Sequence, residues 1–293
     1  MTAPLLLRAP AKLNLTLEVL SRRGDGLHAL RSVMVPIDLY DEIEIDRTRP
    51  AFAFSCDDPS LASGNLVERA FAALDLAQSG YGVHLRKRIP TGAGMGGGSS
   101  DAAAILLAAQ NGAFGAVGER DYLSIARSLG SDVPFFLVQT GALVEGTGER
   151  ITAAGALPPW HAVVVAPPVA VSTAAAYAAL DASERPTRTR NTSSSLAVLA
   201  ALQSAQFERA VELLHNDFET AIAGRSPEIT SALDALRRAG ASRALLTGSG
   251  SCVFALTRTA EDAAAVAARI DLPKTYGVHR AAFAAGSAWR TAA

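Results

Sequence analysis

The chain has 293 residues, of which 49% are apolar and 19% charged, and its 27 basic and 28 acidic residues leave a formal net charge of −1. That much apolar material excludes a disordered chain and suits one large domain or two ordinary ones. The near-zero charge excludes a global field for nucleic acid or an anionic membrane surface. Two cysteines, Cys56 and Cys252, cannot build a disulfide framework, and no clustered Cys/His pattern points to zinc. The Leu5-Leu6-Leu7 run is too short for a signal-peptide core, and no window approaches a membrane span. The expectation is a soluble, reduced, cytoplasmic protein.

In residues 11–20, Leu13, Leu15, Leu17 and Val19 alternate with Lys12, Asn14, Thr16 and Glu18. The period of two predicts a half-buried strand with Lys12 and Asn14 on its polar face. The turn-like segment RRGDGLH follows, then an apolar stretch to about Ile45. Leu66, Ala70, Ala73 and Leu74 have helical spacing, and Val83 to Ile89 reads as a strand ending at Pro90. The basic clusters Arg22-Arg23 and Arg86-Lys87-Arg88 suit a phosphorylated ligand, although solvated surface is the commoner reading of each alone.

TGAGMGGGSSDAA is the densest glycine segment, and the run Ala102–Ala109 after it favours a helix. Ser99 or Ser100 is the expected N-cap, with Asp101 in the first turn. A second helix is expected over Glu119–Leu129. ALPPW (156–160) marks a domain boundary, giving lobes of residues 1–157 and 158–293. His161–Ala166 reads as a buried strand and 183–195 as a mobile polar loop. Phe207, Val211, Leu214, Phe218 and Ile222 share one helical spacing, and a further helix runs from Pro227 to Ala239. Two apolar strands flank TGSGS, and Thr259-x-x-Asp262 opens a last helix. Strands that need not be parallel favour an α+β class.

A glycine loop between a strand and a helix suits phosphate. Glycines admit positive φ and close backbone approach, and successive N–H groups at a helix start make an anion nest. Gly92-x-Gly94-x-x-Gly97 also satisfies the dinucleotide fingerprint, but not at the first strand of a βαβ series. A Walker A loop needs a lysine that is absent between Gly92 and Ser100, and the protein-kinase motifs are absent. A flexible linker is the bland alternative.

PTGAGMGGGSSDAA (90–103) resembles the phosphate-binding motif of the GHMP kinases. APAKLNLTL (9–17), RRGDGLHAL (22–30), LGSDVPFFL (129–137), HNDFE (215–219) and LLTGSGSCVFAL (245–256) resemble further family segments, in order, from residue 9 to about 257. The extra glycine before Ser99-Ser100 is typical of one branch. The resemblance implies a two-lobed α+β fold, with an N-terminal lobe like ribosomal protein S5, a ferredoxin-like C-terminal lobe and a site in the cleft between. It implies transfer of the γ-phosphate of ATP, with Mg²⁺, to the 2-hydroxyl of 4-diphosphocytidyl-2-C-methyl-D-erythritol in non-mevalonate isoprenoid precursor synthesis.

The resemblance also implies roles. Asp132 would take the hydroxyl proton, and Lys12 would keep Asp132 ionised and stabilise developing charge. Residue type alone would leave Lys12 an outward strand lysine and Asp132 a turn or helix-cap carboxylate. Pro90, Thr91, Gly92, Ala93, Gly94, Met95, Gly96, Gly97, Gly98, Ser99 and Ser100 would hold ATP, with Asn65 near the adenine or else serving as a helix N-cap. Asn14, Leu27, His28, Thr173 and Tyr177 would bind the substrate, His28 at the cytosine edge and Tyr177 on its face. Gly248 and Gly250 would shape the cleft floor, where side chains would crowd ligands. Leu27 departs from the tyrosine the family usually has there, which removes aromatic stacking from one face of the base. No carboxylate set identifies the Mg²⁺ ligands. Other GHMP kinases acting on homoserine, mevalonate or a sugar, and a non-catalytic nucleotide-binding protein on the same fold, remain the alternatives.

Overall fold

A computed structural model describes residues 4–22, 24, 26, 28–115, 117–183 and 194–284. The first half contains β1 (Leu5–Asn14), β2 (Thr16–Arg22), β3 (His28–Asp46), β4 (Ala53–Cys56), α1 (Leu66–Ala73), β5 (Gly82–Arg86), α2 (Gly97–Gln110), α3 (Tyr122–Leu129), α4 (Val133–Leu137), β6 (Ala142–Gly146) and β7 (Arg150–Ala153). The second half contains β8 (His161–Ala166), α5 (Thr173–Asp181), α6 (Ser194–Gln203), α7 (Phe207–Leu213), β9 (His215–Asn216), α8 (Phe218–Ala223), α9 (Pro227–Arg238), β10 (Leu245–Leu246), β11 (Val253–Thr257), α10 (Ala260–Ala268) and β12 (Gly277–Ala282). The fold is α+β. Strands β1–β7 join β9 in one sheet of eight, and β10-β11-β8-β12 form an antiparallel sheet of four.

β1 departs from the half-buried strand read from its alternation. Lys12 is 3% exposed and Asn14 0%. The apolar parity, Ala11, Leu13 and Leu15, packs into a cluster with Trp160, Val164 and Phe254 of the second half. The polar parity is covered by loops instead of water. The period of two separates an apolar face from a polar one but does not say what lies over the polar face. A second cluster fills the space between the large sheet and α1–α4, and a third packs α5, α8, α9 and α10 on the small sheet.

Helix boundaries move where backbone geometry outweighs side-chain preference. α2 begins at Gly97, so neither Ser99 nor Ser100 is its cap; Gly96, at φ 71°, holds that position with no side-chain cap bond. α3 starts at Tyr122, capped by Asp121, whose side chain accepts from the Ser124 amide, and not at Glu119. Thr259 caps α10 as its spacing predicts, accepting from the Asp262 amide at 3.1 Å. The single helix expected through Phe207–Ile222 is two, α7 and α8, interrupted by β9, which pairs parallel with β2. Long-range pairing overrides a local period there. The loop expected at 183–195 lies mostly outside the described residues, and Ser194-Ser195 open α6.

Lys87, read as one of three surface cations, is buried. Its ammonium is bonded to Asp41 and, at 2.9 Å, to Asp101. Asp41 also accepts from the Arg88 and Ile89 amides at 2.6 and 2.9 Å, tying β3 to the start of the glycine loop. Burial raises the Asp101 carboxyl to about 8, with Lys87 opposing and Asp41 adding to the rise. Folded Asp101 therefore keeps a proton that the unfolded chain, near 3.8, gives up. Its contribution to stability is present at low pH and fades as pH rises toward about 8. Asp101→Asn is expected to gain in melting temperature relative to the unmodified protein as pH is raised from about 4 to about 8. Parallel melting curves across that window would show that Asp101 is ionised throughout.

Candidate active site

The glycine loop, the TGSGS turn and β1 meet backbone to backbone. The Lys12 amide donates to the Met95 carbonyl at 3.0 Å and the Cys252 amide to the Ala93 carbonyl at 3.1 Å. Loop carbonyls are thereby held by protein, and the first-turn amides of α2, which have no intrahelical partner, are left for an anion. Gly94 (φ 80°) and Gly248 (φ 58°) make this contact possible. A Cβ on Gly94 would lie 2.2 Å from the Thr247 carbonyl, and one on Gly248 would lie 2.7 Å from the Gly94 carbonyl and 3.2 Å from Lys12 Nζ. The glycines of TGSGS were expected to leave room for ligands. At Gly248 the room is needed for the other loop and Lys12, and at Gly250 for the Leu246 side chain.

A cleft of about 560 Å³ opens over this junction. Its lining includes Lys12, Asn14, Asn65, Pro90, Thr91, Gly92, Ala93, Gly94, Gly96, Gly97, Gly98, Ser99, Asp132, Thr173 and Tyr177. Two loop residues stand apart from that lining. Met95 points into the core, 1% exposed, and Ser100 is 0% exposed with its hydroxyl unpartnered. Asn65 is an N-cap: its Oδ1 accepts from the Val67 and Glu68 amides at 2.9 and 3.1 Å, while its residue also faces the cleft.

Lys12 Nζ is bonded to Asn14 Oδ1 and lies 3.8 Å from Asp132 Oδ2. Asp132 precedes α4 in the cap position but makes no side-chain cap bond, so its carboxylate is turned to the cleft. Burial pulls the Lys12 ammonium below its ordinary range, and Asp132 pushes it part of the way back. This disposes of the outward-lysine reading.

A second cavity of about 690 Å³ shares Leu30, Ser131, Thr173 and Tyr177 with the first. His28 and Tyr177 lie within it, their rings stacked at 5.0 Å and 15°. His28 Nε2 is 2.9 Å from Asp181 Oδ1, and Tyr177 meets Phe218 edge-on at 4.9 Å. The two rings expected to hold a base are thus in contact with each other. Thr173, one helical turn before Tyr177, bonds Ser249 at 3.1 Å. Leu27 lies outside the described residues.

Two groups escaped the sequence reading. Within HNDFE, Asn216 Nδ2 donates to the Leu246 and Gly248 carbonyls at 2.7 and 2.8 Å, and Glu219 accepts from the Leu246 amide at 3.0 Å. The motif clamps the TGSGS turn. Lys87 was legible in principle, since it continues the inward parity of Val83 and Leu85.

Residues 65–140 match the GHMP kinases N terminal domain and residues 198–273 the GHMP kinases C terminal family. A Geobacter sp. (strain M21) protein named 4-diphosphocytidyl-2-C-methyl-D-erythritol kinase is 37% identical over 284 residues, 95% of this chain and 98% of its own. The chain belongs to that kinase family. A Deinococcus radiodurans relative of the same name is 41% identical over 89% of this chain and 87% of its own. A crystal structure of 4-(cytidine 5'-diphospho)-2C-methyl-D-erythritol kinase superposes with a TM-score of 0.77 at 34% identity, covering 94% of this chain and 99% of that one. Homoserine kinase from Cytophaga hutchinsonii reaches a TM-score of 0.69 at 18% identity, over 98% of this chain and 97% of its own, a likeness of fold.

The Gly94 contact yields a test. Gly94→Ala combines a strained positive φ with a 2.2 Å approach to backbone. The variant is expected to lose roughly 2 kcal/mol or more of stability in urea titration, with ATP binding lost as well. Wild-type stability in that variant would mean the two loops are not in contact.

Proposed function

We infer that the protein transfers the γ-phosphate of ATP to the 2-hydroxyl of 4-diphosphocytidyl-2-C-methyl-D-erythritol, in the non-mevalonate route to isoprenoid precursors. The observation that carries this reading is the Lys12–Asp132 pair, 3.8 Å apart in the wall of the cleft, in a chain alike over nearly its whole length to kinases of that name. ATP takes the cleft beneath the glycine loop, its phosphates on Gly94–Ser100 and its adenosine along Asn65, Pro90 and Thr91. The alcohol enters from the second cavity, with its cytosine against the His28–Tyr177 stack and Thr173 beside it.

Asp132 accepts the proton of the 2-hydroxyl as that oxygen bonds the γ-phosphorus. The bond from γ-phosphorus to the bridging oxygen breaks and ADP leaves. Lys12 keeps Asp132 ionised and meets the charge on the transferring group. Among the described residues no group of three or more His, Cys, Asp or Glu gathers to hold a metal. Mg²⁺ would neutralise phosphate charge as an ion carried by the triphosphate and water, with the Ser99 hydroxyl at the cleft wall as a neutral ligand. On this reading the protein works in the cytoplasm, beside its substrates.

ATP consumption is measured with the cytidyl alcohol, homoserine and mevalonate in parallel. Turnover confined to the cytidyl alcohol is expected, and activity only on another alcohol would overturn the substrate assignment. Asp132→Asn is expected to lower kcat by a factor on the order of 10² to 10⁴ while the protein stays folded. Full turnover in that variant would remove Asp132 as the base.

A further inference from the structure

Ser32 and Thr247 have no part in the chemistry above, yet both end on the side chain of Asn14. Ser32 Oγ donates to the Thr16 carbonyl at 2.5 Å, an oxygen that can only accept. A hydroxyl has one proton, so Ser32 is left to accept from Asn14, whose Nδ2 lies 2.8 Å away. From the other half of the chain, Thr247 Oγ1 accepts the Asn14 backbone amide at 3.0 Å and directs its own proton to Asn14 Oδ1 at 3.4 Å. The two hydroxyls orient the amide the same way, NH₂ toward Ser32 and oxygen toward Thr247 and Lys12. The reversed amide would set two donors, NH₂ and ammonium, face to face. Lys12 is 3% exposed and Asn14, Ser32 and Thr247 are 0% exposed, so a mispaired group would have little solvent to offset it.

We propose that Ser32 and Thr247 are positioning residues of the phosphoryl-transfer site, which lock the Asn14 amide with its oxygen on Lys12 and so fix the ammonium. This rests on the reading that Lys12 serves the transfer. Asn14 acts through Lys12, because its amide oxygen is held on the ammonium and its NH₂ on Ser32. Of the three ammonium protons, one goes to Asn14 and one faces Asp132, which leaves one for the transferring group. The groups facing Lys12 are Asn14 on its own strand, Asp132 before α4, and the backbone at Gly96 and Gly248. Tyr177 on α5 lines the same cleft, and its phenol is raised by burial first and then by the Asp132 and Asp181 charges.

The test exploits a chain with only three lysines, Lys12, Lys87 and Lys274. With ¹³Cε-labelled lysine, the Lys12 signal, assigned by its loss in Lys12→Arg, is titrated by NMR without ligands. In Ser32→Ala the midpoint is expected to fall by about one pH unit, since the ammonium loses a fixed acceptor. On the cytidyl alcohol, kcat is expected to fall about tenfold while both KM values stay within about twofold. Thr247→Val, which keeps the side-chain shape, is expected to move both readings in the same direction, and Thr247→Ser to restore them. Should Ser32→Ala not fold, Thr247→Val decides alone. A Lys12 titration unchanged in the folded variants overturns the proposal. The NMR reading needs no substrate, so an enzyme inactive on the cytidyl alcohol would overturn the substrate assignment while the titration still judges the amide lock.

Discussion

The edge of β1 between Lys12 and Asn14 organises the site. β1 pairs with β3 on one side, and its amides at 12 and 14 face the other. A buried strand edge with unpaired amides is costly. Here the Lys12 amide meets the Met95 carbonyl of the glycine loop, and the Asn14 amide meets the Thr247 hydroxyl of the opposing turn. The Cys252-to-Ala93 bond closes the arrangement by joining the two loops. The glycine loop and Lys12 are therefore fixed to one another through backbone.

Two buried lysines show how partner number separates structure from chemistry. Lys87 lies between Asp41 and Asp101; burial would lower its pKa, but it titrates where both carboxyls are ionised, and their charges outweigh the burial, so it is raised. It is saturated, and its work is to hold β3, β5 and α2 together. Lys12 has one carboxylate at 3.8 Å and a neutral amide, and burial wins, so its pKa is lowered. A buried cation with incomplete neutralisation is one that still gains from an arriving phosphate.

Much of the site was legible because local rules govern it. The alternation around Lys12, the glycine run before an alanine-rich helix, and the turn-helix position of Asp132 each follow from short-range chemistry, and their joint order pointed to the family. Where the reading fell short, the cause was in part contacts distant in sequence. The partners of Asn14 could not be read, because nothing near it in the chain announces Ser32 or Thr247. The helix through 207–222 broke because Asn216 is needed by backbone carbonyls at Leu246 and Gly248. Ser99 and Ser100 looked like caps because propensity favours them, whereas the positive φ at Gly96 started α2 earlier. The roles of Gly248 and Gly250 were right in kind, in that no side chain fits, but the crowding partner at Gly248 is another loop and Lys12.

β9 carries a further consequence, for the order in which the protein is made. Two residues, His215 and Asn216, complete the eight-stranded sheet by pairing with Thr16 and Leu17, and the Asn14–Thr247 bond spans 233 positions. Such distant pairings pay loop-closure entropy before they return any stability, and they form late. During synthesis from the N-terminus, the nascent chain has its glycine loop long before it has the turn that braces it. Competence to handle ATP thus arrives near the end of translation, when the last quarter of the chain reaches back to the first strand.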